Sequence, residues 1–109
     1  MVPAAADFQI DLDAFAAALS DRTRAVIINS PNNPSGAVFS EESIRGMCAL
    51  LKAYEARTGR TVYLISDEPY REIVYDGIRN PCTLNYYDDA IMCYSFSKSL
   101  SVPGERIGY

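Results

Sequence analysis

The sequence has 109 residues, of which 49% are hydrophobic and 22% are charged, a composition typical of one small globular domain and not of a disordered or collagen-like chain. Its formal net charge of −4 at pH 7 argues against a nucleic-acid or membrane-surface partner, and no apolar run approaches the roughly 20 residues that cross a bilayer. The chain contains no histidine, which excludes serine–histidine and cysteine–histidine catalysis and any histidine-ligated metal within it.

The first predicted elements are a short helix and a buried strand. Apolar residues recur at helical spacing over residues 11–20, and Asp11 is placed to cap the first turn. Residues 25–29 form a continuously apolar, β-branched run, which predicts a strand buried on both faces, as in a parallel sheet. The proline- and glycine-rich residues 30–36 predict an irregular loop.

A second helix and two further strands follow. Ser40 is a candidate N-cap and Gly59 a candidate C-cap, which predicts a helix between them. Apolar runs at residues 61–66 and 90–96 predict the second and third strands. The long crossover between these strands lacks a clean helical stripe.

The alternation of strand, helix and strand predicts an α/β fold. The expected architecture is a partial doubly wound, mainly parallel sheet of three to four strands with flanking helices. Residues 105–109 resemble the opening of another strand. We therefore expect a single truncated domain that belongs to a larger one.

The three cysteines, Cys48, Cys82 and Cys93, are odd in number and far apart. They fit neither a disulfide framework nor a zinc site, so no metal site is expected and a reducing cytoplasm is the expected compartment. No basic segment followed by an apolar stretch opens the chain, so no signal peptide is expected.

Polar side chains follow each predicted strand at its carboxyl end. Asn33 lies in the loop after the first strand, Asp67 ends the second with Tyr70 shortly after it, and Ser95 and Lys98 follow the third. Open parallel sheets bind ligands just beyond the carboxyl ends of their strands. These side chains are therefore expected to converge on one ligand.

The residue types in this set point to the chemistry of that ligand. A lysine can act as a Schiff-base nucleophile, and an aspartate can hold a protonated ring nitrogen. A tyrosine and an asparagine can donate to a phenolic oxygen, and serines and an arginine can hold a phosphate. Together they complement pyridoxal phosphate.

Three motifs resemble the class I/II aminotransferases, which are pyridoxal-phosphate enzymes of fold type I, the aspartate aminotransferase fold. They are Asn-Asn-Pro-Ser-Gly at 32–36, Ser-Asp-Glu-Pro-Tyr at 66–70, and Ser-Phe-Ser-Lys-Ser-Leu-Ser-Val-Pro-Gly-Glu-Arg-Ile-Gly at 95–108. The resemblance covers nearly the whole chain. It implies that residues 1–109 are the central part of the large, cofactor-binding domain of such an enzyme.

The resemblance implies catalytic roles for three residues. Lys98 would form the internal aldimine with pyridoxal phosphate and shuttle a proton at the substrate α-carbon. Asp67 would pair with the pyridinium nitrogen, and Tyr70 would hydrogen-bond the ring oxygen.

Four further residues are implied to bind the cofactor. Asn33 would share the ring oxygen with Tyr70, and the resemblance implies a cis peptide bond between Asn33 and Pro34. Ser95 and Arg106 would bind the phosphate, and Ser97 is a weaker candidate for the same role.

The implied function is transfer of an amino group from an amino acid to a 2-oxo acid by a cytoplasmic homodimer. The family's glycine-rich phosphate loop, its ring-stacking aromatic residue and its carboxylate-binding arginine have no counterpart here, so this chain alone is expected to be inactive.

Two alternatives stay open. A pyridoxal-phosphate-dependent carbon–sulfur β-lyase, or a related elimination enzyme, shares all three motifs. A non-catalytic structural piece would instead self-associate through an open sheet edge and bare apolar faces.

Overall fold

A three-stranded parallel sheet lies at the centre of the computed structural model, which describes residues 1–109. The strands are β1 (Ala25–Asn29), β2 (Tyr63–Asp67) and β3 (Ala90–Cys93), and they lie side by side in that order. The predicted α/β fold is confirmed.

Three α-helices accompany the sheet, and the predicted capping residues lie at the start of the first and at both ends of the second. They are α1 (Leu12–Ala18), α2 (Glu41–Thr58) and the short α3 (Phe96–Ser99). The Asp11 side chain accepts a hydrogen bond from the Ala14 amide at the start of α1, and Ser40 accepts one from Ser43 at the start of α2. Gly59 ends α2 in the left-handed conformation at φ 66°, which glycine adopts without steric cost.

The core lies between α2 and one face of the sheet. Met47 and Leu51 of α2 are fully buried, as are Val62, which directly precedes β2, and Leu64 within it. Phe15 of α1 joins the same cluster. We call this side of the sheet the covered face.

The opposite side of the sheet, which we call the open face, has no helical cover. Ile27 of β1 is 70% exposed, Tyr63 of β2 50% and Ile91 of β3 48%. The prediction that β1 is buried on both faces is therefore wrong for this chain, because α1 and α2 pack together on the covered face. The expected bare apolar face is confirmed.

Two strand boundaries differ from the predicted ones. The second strand starts at Tyr63 and includes Asp67. The third ends at Cys93, because Ser95 caps α3 and pairs with Gly108 in an isolated antiparallel bridge.

The crossover from β2 to β3 contains one short 3₁₀ turn, Thr83–Asn85, and no α-helix. None of the helices combines the length and the apolar character that a membrane span requires.

Candidate functional site

The carboxyl ends of β1 and β2 are joined by Asn29. Its side-chain amide donates to the main-chain oxygen of Asp67 at 2.9 Å and to the Asp67 carboxylate at 3.4 Å. Its side-chain oxygen accepts from the Asn33 amide at 3.0 Å. One side chain thus fixes Asp67 relative to the loop that carries Asn33. Asn29 was not predicted, although its register opposite Asp67 would have indicated it once the strands were paired.

The loop that carries Asn33 is held by its own backbone. The amide of Asn32 donates to Ala37 at 2.9 Å, and the amide of Gly36 donates back to Asn32 at 2.8 Å. The peptide bond between Asn33 and Pro34 is cis, which confirms that expectation. The Asn33 side chain is exposed and makes no hydrogen bond within the protein.

Tyr70 and Lys98 approach each other beside this loop. The Lys98 amine lies 5.7 Å from the centre of the Tyr70 ring, within the range of a cation–π contact. Lys98 is exposed and makes neither an ion pair nor a hydrogen bond through its amine. Tyr70 and Asn33 also line one open cleft of about 370 Å³. The structure therefore brings Asn33, Tyr70 and Lys98 to the same end of the sheet as Asp67.

Ser95 and Ser97 lie at the start of α3. The Ser95 hydroxyl accepts a hydrogen bond from the Ser97 amide at 3.2 Å and donates to the Ser97 hydroxyl at 2.9 Å. Both residues are half-buried. The two hydroxyls are thus neighbours at the start of the short helix that also carries Lys98.

Arg106 follows a 3₁₀ turn in the left-handed conformation, at φ 53°. Its side chain is exposed and makes no hydrogen bond or ion pair, so it is not paired with Glu105. The backbone just beyond it pairs with the segment before α3: Ser95 bridges Gly108, and Tyr94 and Tyr109 exchange two hydrogen bonds of 2.7 and 2.9 Å. The backbone pairing places Arg106 two residues from Gly108, the bridge partner of Ser95, and no hydrogen bond joins its guanidinium to either serine.

A buried acidic residue that the sequence analysis did not single out lies next to Asp67. Glu68 is 1% exposed; its carboxylate accepts from the Ser66 hydroxyl at 2.7 Å and forms an ion pair with Arg71. Burial disfavours the Arg71 charge, yet the adjacent Glu68 carboxylate holds the pKa of the guanidinium above its ordinary value. Glu68 continues the alternation of Leu64 and Ser66 on the covered face, and that pattern is the signal that could have revealed it.

A larger cleft of about 610 Å³ runs along β1 and the N-terminal segment. Apolar side chains such as Val2, Phe15 and Val26 dominate its walls, and it contains none of the predicted site residues.

The groups left free at the carboxyl end of the sheet fit pyridoxal phosphate. The Lys98 amine, the Tyr70 hydroxyl and the Arg106 guanidinium have no hydrogen-bonding partner in the protein, and one oxygen of Asp67 is likewise unengaged. An amine, a carboxylate, a phenol and a guanidinium complement an aldehyde, a protonated ring nitrogen, a ring oxygen and a phosphate, respectively.

Comparisons with known proteins identify the family of this chain. A family model described as aminotransferase class I and II matches residues 1–109. The solved structure of an amino transferase from Eubacterium rectale is 58% identical, with a TM-score of 0.96 over 99% of this chain and 27% of that one. The aspartate aminotransferase of Thermus thermophilus, solved with maleate, is 29% identical, with a TM-score of 0.80 over 94% of this chain and 25% of that one.

Relatives with aminotransferase names match nearly the whole chain as well. A probable aspartate aminotransferase of Methanocaldococcus jannaschii is 33% identical over 103 residues, which are 94% of this chain and 26% of the relative. An aromatic amino acid aminotransferase of Rhodococcus opacus is 34% identical over 108 residues, 99% of this chain and 28% of the relative. The chain thus spans about a quarter of the length of the proteins it matches.

Proposed function

The chain belongs to the aminotransferase class I and II family, whose members use pyridoxal phosphate, and we propose that residues 1–109 form the central part of the cofactor-binding domain of such an enzyme. The reaction is transfer of an amino group from an amino acid to a 2-oxo acid. The observation that carries the proposal is the free Lys98 amine beside Tyr70, at the same sheet end as Asp67.

When bound, pyridoxal phosphate supplies an aldehyde that captures amino groups and a ring that withdraws electrons from the substrate α-carbon. Lys98 would hold the cofactor through its Nζ atom and, once the substrate's amino group has displaced that atom, would take and return the proton at the α-carbon. Asp67 accepts a hydrogen bond from the ring nitrogen through a carboxylate oxygen and keeps that nitrogen protonated.

The remaining residues hold the ring and the phosphate. Tyr70 and Asn33 donate to the ring oxygen from the cleft that they share. Ser95, Ser97 and Arg106 bind the phosphate, for which the paired hydroxyls and the unpaired guanidinium are suitable donors.

An amino acid and a 2-oxo acid are the substrates, and a homodimer is the expected assembly. The relatives bear the names of aspartate, tyrosine and aromatic amino acid aminotransferases; these names favour a transferase over a carbon–sulfur lyase built on the same residues. Three free cysteines support a reducing, cytoplasmic location.

The test uses the two lysines of the chain, Lys52 and Lys98. The chain is mixed with pyridoxal phosphate, its visible spectrum is recorded, and the adduct is fixed with borohydride and located by peptide mass mapping. We expect the adduct on Lys98, its loss in Lys98→Ala and its retention in the matched control Lys52→Ala. Equal labelling of Lys52, Lys98 and the N-terminus would contradict the proposal.

A second measurement separates binding from turnover. This chain alone is expected to show no transamination of glutamate with any 2-oxo acid. Turnover that Lys98→Ala abolishes would show that residues 1–109 are sufficient, and would overturn that expectation.

A further inference from the structure

Glu68 is a buried carboxylate to which the proposed chemistry assigns no task. It lies between the two proposed cofactor ligands Asp67 and Tyr70, and its side chain is 1% exposed. A buried carboxylate is retained only where charged and hydrogen-bonding partners compensate for its lost hydration. Here one oxygen accepts from Ser66, and the other pairs with Arg71.

The side chains at the end of β2 alternate between the two faces of the sheet. Ser66, which is 1% exposed, points to the covered face, Asp67 is exposed on the open face, and Glu68 returns to the covered side. Because successive side chains of an extended segment point to opposite faces, the burial of Glu68 determines where Asp67 points.

The same carboxylate fixes the turn that leads to Tyr70. The Glu68 amide donates to the Cys93 oxygen at 2.8 Å and so extends the ladder between β2 and β3 by one bond. The Arg71 amide donates to the main-chain oxygen of Glu68 at 3.2 Å. The Arg71 guanidinium also donates to the Glu68 carboxylate. Tyr70 therefore lies in a turn that is closed by contacts between Glu68 and Arg71.

We propose that Glu68 is a positioning residue for the cofactor site: held by Ser66 and Arg71, it sets the direction of the Asp67 carboxylate toward the cofactor's ring nitrogen. The inference rests on the proposed function, because it needs pyridoxal phosphate to bind at Lys98. Glu68 touches no reacting atom and acts through Asp67.

The test compares two ligands that differ at one ring atom. Pyridoxal phosphate carries the ring nitrogen, and its 1-deaza analogue has CH in that position. Dissociation constants for both are measured by absorbance titration of the chain, and borohydride mapping confirms attachment at Lys98. The ratio of the two constants reports the Asp67–nitrogen contact alone, since every other contact is shared by the two ligands.

The wild-type chain should bind pyridoxal phosphate about tenfold more tightly than the analogue, as expected for a hydrogen bond between charged groups. Asp67→Ala should reduce this ratio to about one, because the contact is gone. Glu68→Gln, which keeps the size of the side chain and the acceptor for Ser66, should reduce the ratio at least about threefold, with the affinity for the analogue unchanged.

Further variants distinguish a specific effect on the Asp67 contact from a general loss of folding. Arg71→Gln removes the charge partner from the more exposed side and should lower the ratio in the same way. Glu41→Gln breaks the exposed ion pair between Glu41 and Arg45 on α2 and should leave the ratio unchanged. Circular dichroism and thermal melting establish that each variant is folded. Adding Glu68→Gln to Asp67→Ala should change nothing more, because the two residues act on one contact.

The possible outcomes are distinct. If Glu68→Gln lowers both affinities by one factor, or neither, Glu68 does not act through Asp67 and the inference is wrong. If the wild-type chain gives no adduct on Lys98, or the same affinity for both ligands, the proposed function fails first and the inference fails with it.

Discussion

Asn29 and Asp67 are separated by 38 positions in the sequence, yet the side-chain amide of Asn29 reaches both the backbone and the carboxylate of Asp67. The same asparagine accepts from the Asn33 amide. One residue therefore links the proposed partner of the ring nitrogen to the loop that carries a proposed ligand of the ring oxygen.

Replacing Asn29 with alanine should weaken cofactor binding without unfolding the chain. A typical hydrogen bond contributes about 1 kcal/mol, so the dissociation constant for pyridoxal phosphate should rise roughly fivefold. The measurement is the absorbance titration described above. Asn85→Ala is the matched control, because Asn85 is exposed in the 3₁₀ turn and its side chain makes no hydrogen bond. Equal effects of the two variants would contradict a specific role for Asn29.

Gly108→Ala should be strongly destabilising, whereas Gly104→Ala should be neutral. A Cβ atom at Gly108 would overlap the main-chain oxygen of Tyr94, but at Gly104 it would meet nothing within 4 Å. The backbone cannot yield as a side chain can, so we expect a cost of about 1–3 kcal/mol. Urea unfolding of both variants measures it. The segments that carry Ser95 and Arg106 should separate in Gly108→Ala, so the affinity for pyridoxal phosphate should fall as well.

Tyr87 should make the chain sensitive to alkali. Burial, reinforced by the nearby Glu55 carboxylate, raises the pKa of Tyr87 above its ordinary range. The folded chain therefore holds this proton more tightly than the unfolded chain, in which the pKa is about 10. The stabilisation is complete below about pH 10 and is lost as the pH rises beyond it.

The free energy of unfolding, measured with urea between about pH 8 and pH 11, should fall less in Tyr87→Phe than in the wild-type chain. At neutral pH the variant should lose about 1 kcal/mol, since the Tyr87 hydroxyl donates to the Val62 oxygen at 2.7 Å. Tyr63→Phe, at an exposed position, is the control. If the pH dependence of the wild-type chain persists unchanged in Tyr87→Phe, a titrating group other than Tyr87 causes it.

The chain by itself should self-associate through the open face and the edge of β1. Ile27 is 70% exposed on that face, and β1 has an unpaired edge, which together favour pairing with a second copy. Ile27→Lys should shift the mass measured by light scattering toward the monomer. Tyr75→Lys changes the net charge equally at a residue that is 74% exposed and lies outside the strands, and should have no effect. A monodisperse wild-type monomer at high concentration would refute this prediction.

The elements that local patterns determine were predicted closely. The β-branched run of β1, bounded by turn-forming residues, matches the strand at Ala25–Asn29, and Ser40 and Gly59 cap α2 as expected. The third strand was predicted too long because the apolar run continues past Cys93. The strand ends where Ser95 caps α3 and pairs with Gly108, a residue that lies outside the run.

The site itself was predicted only in part. Asn33, Asp67, Tyr70 and Lys98 belong to recognisable motifs, and the parallel sheet explains why they meet. Asn29 and the ion pair between Glu68 and Arg71 were not predicted, because these residues take their roles from tertiary contacts. An asparagine at a strand end and a glutamate after a strand have many ordinary roles until the partner strand and the covered face are known.

The parallel alignment of Asn29, Asp67 and Cys93 across the sheet has a consequence for folding. Slipping β2 by a single position would turn Asp67 into the core and expose Ser66 to water. A ligand that needs the Asp67 carboxylate would therefore bind only the correctly aligned sheet and, by mass action, raise its population. In such a chain the small molecule selects the native strand alignment as well as taking part in the chemistry.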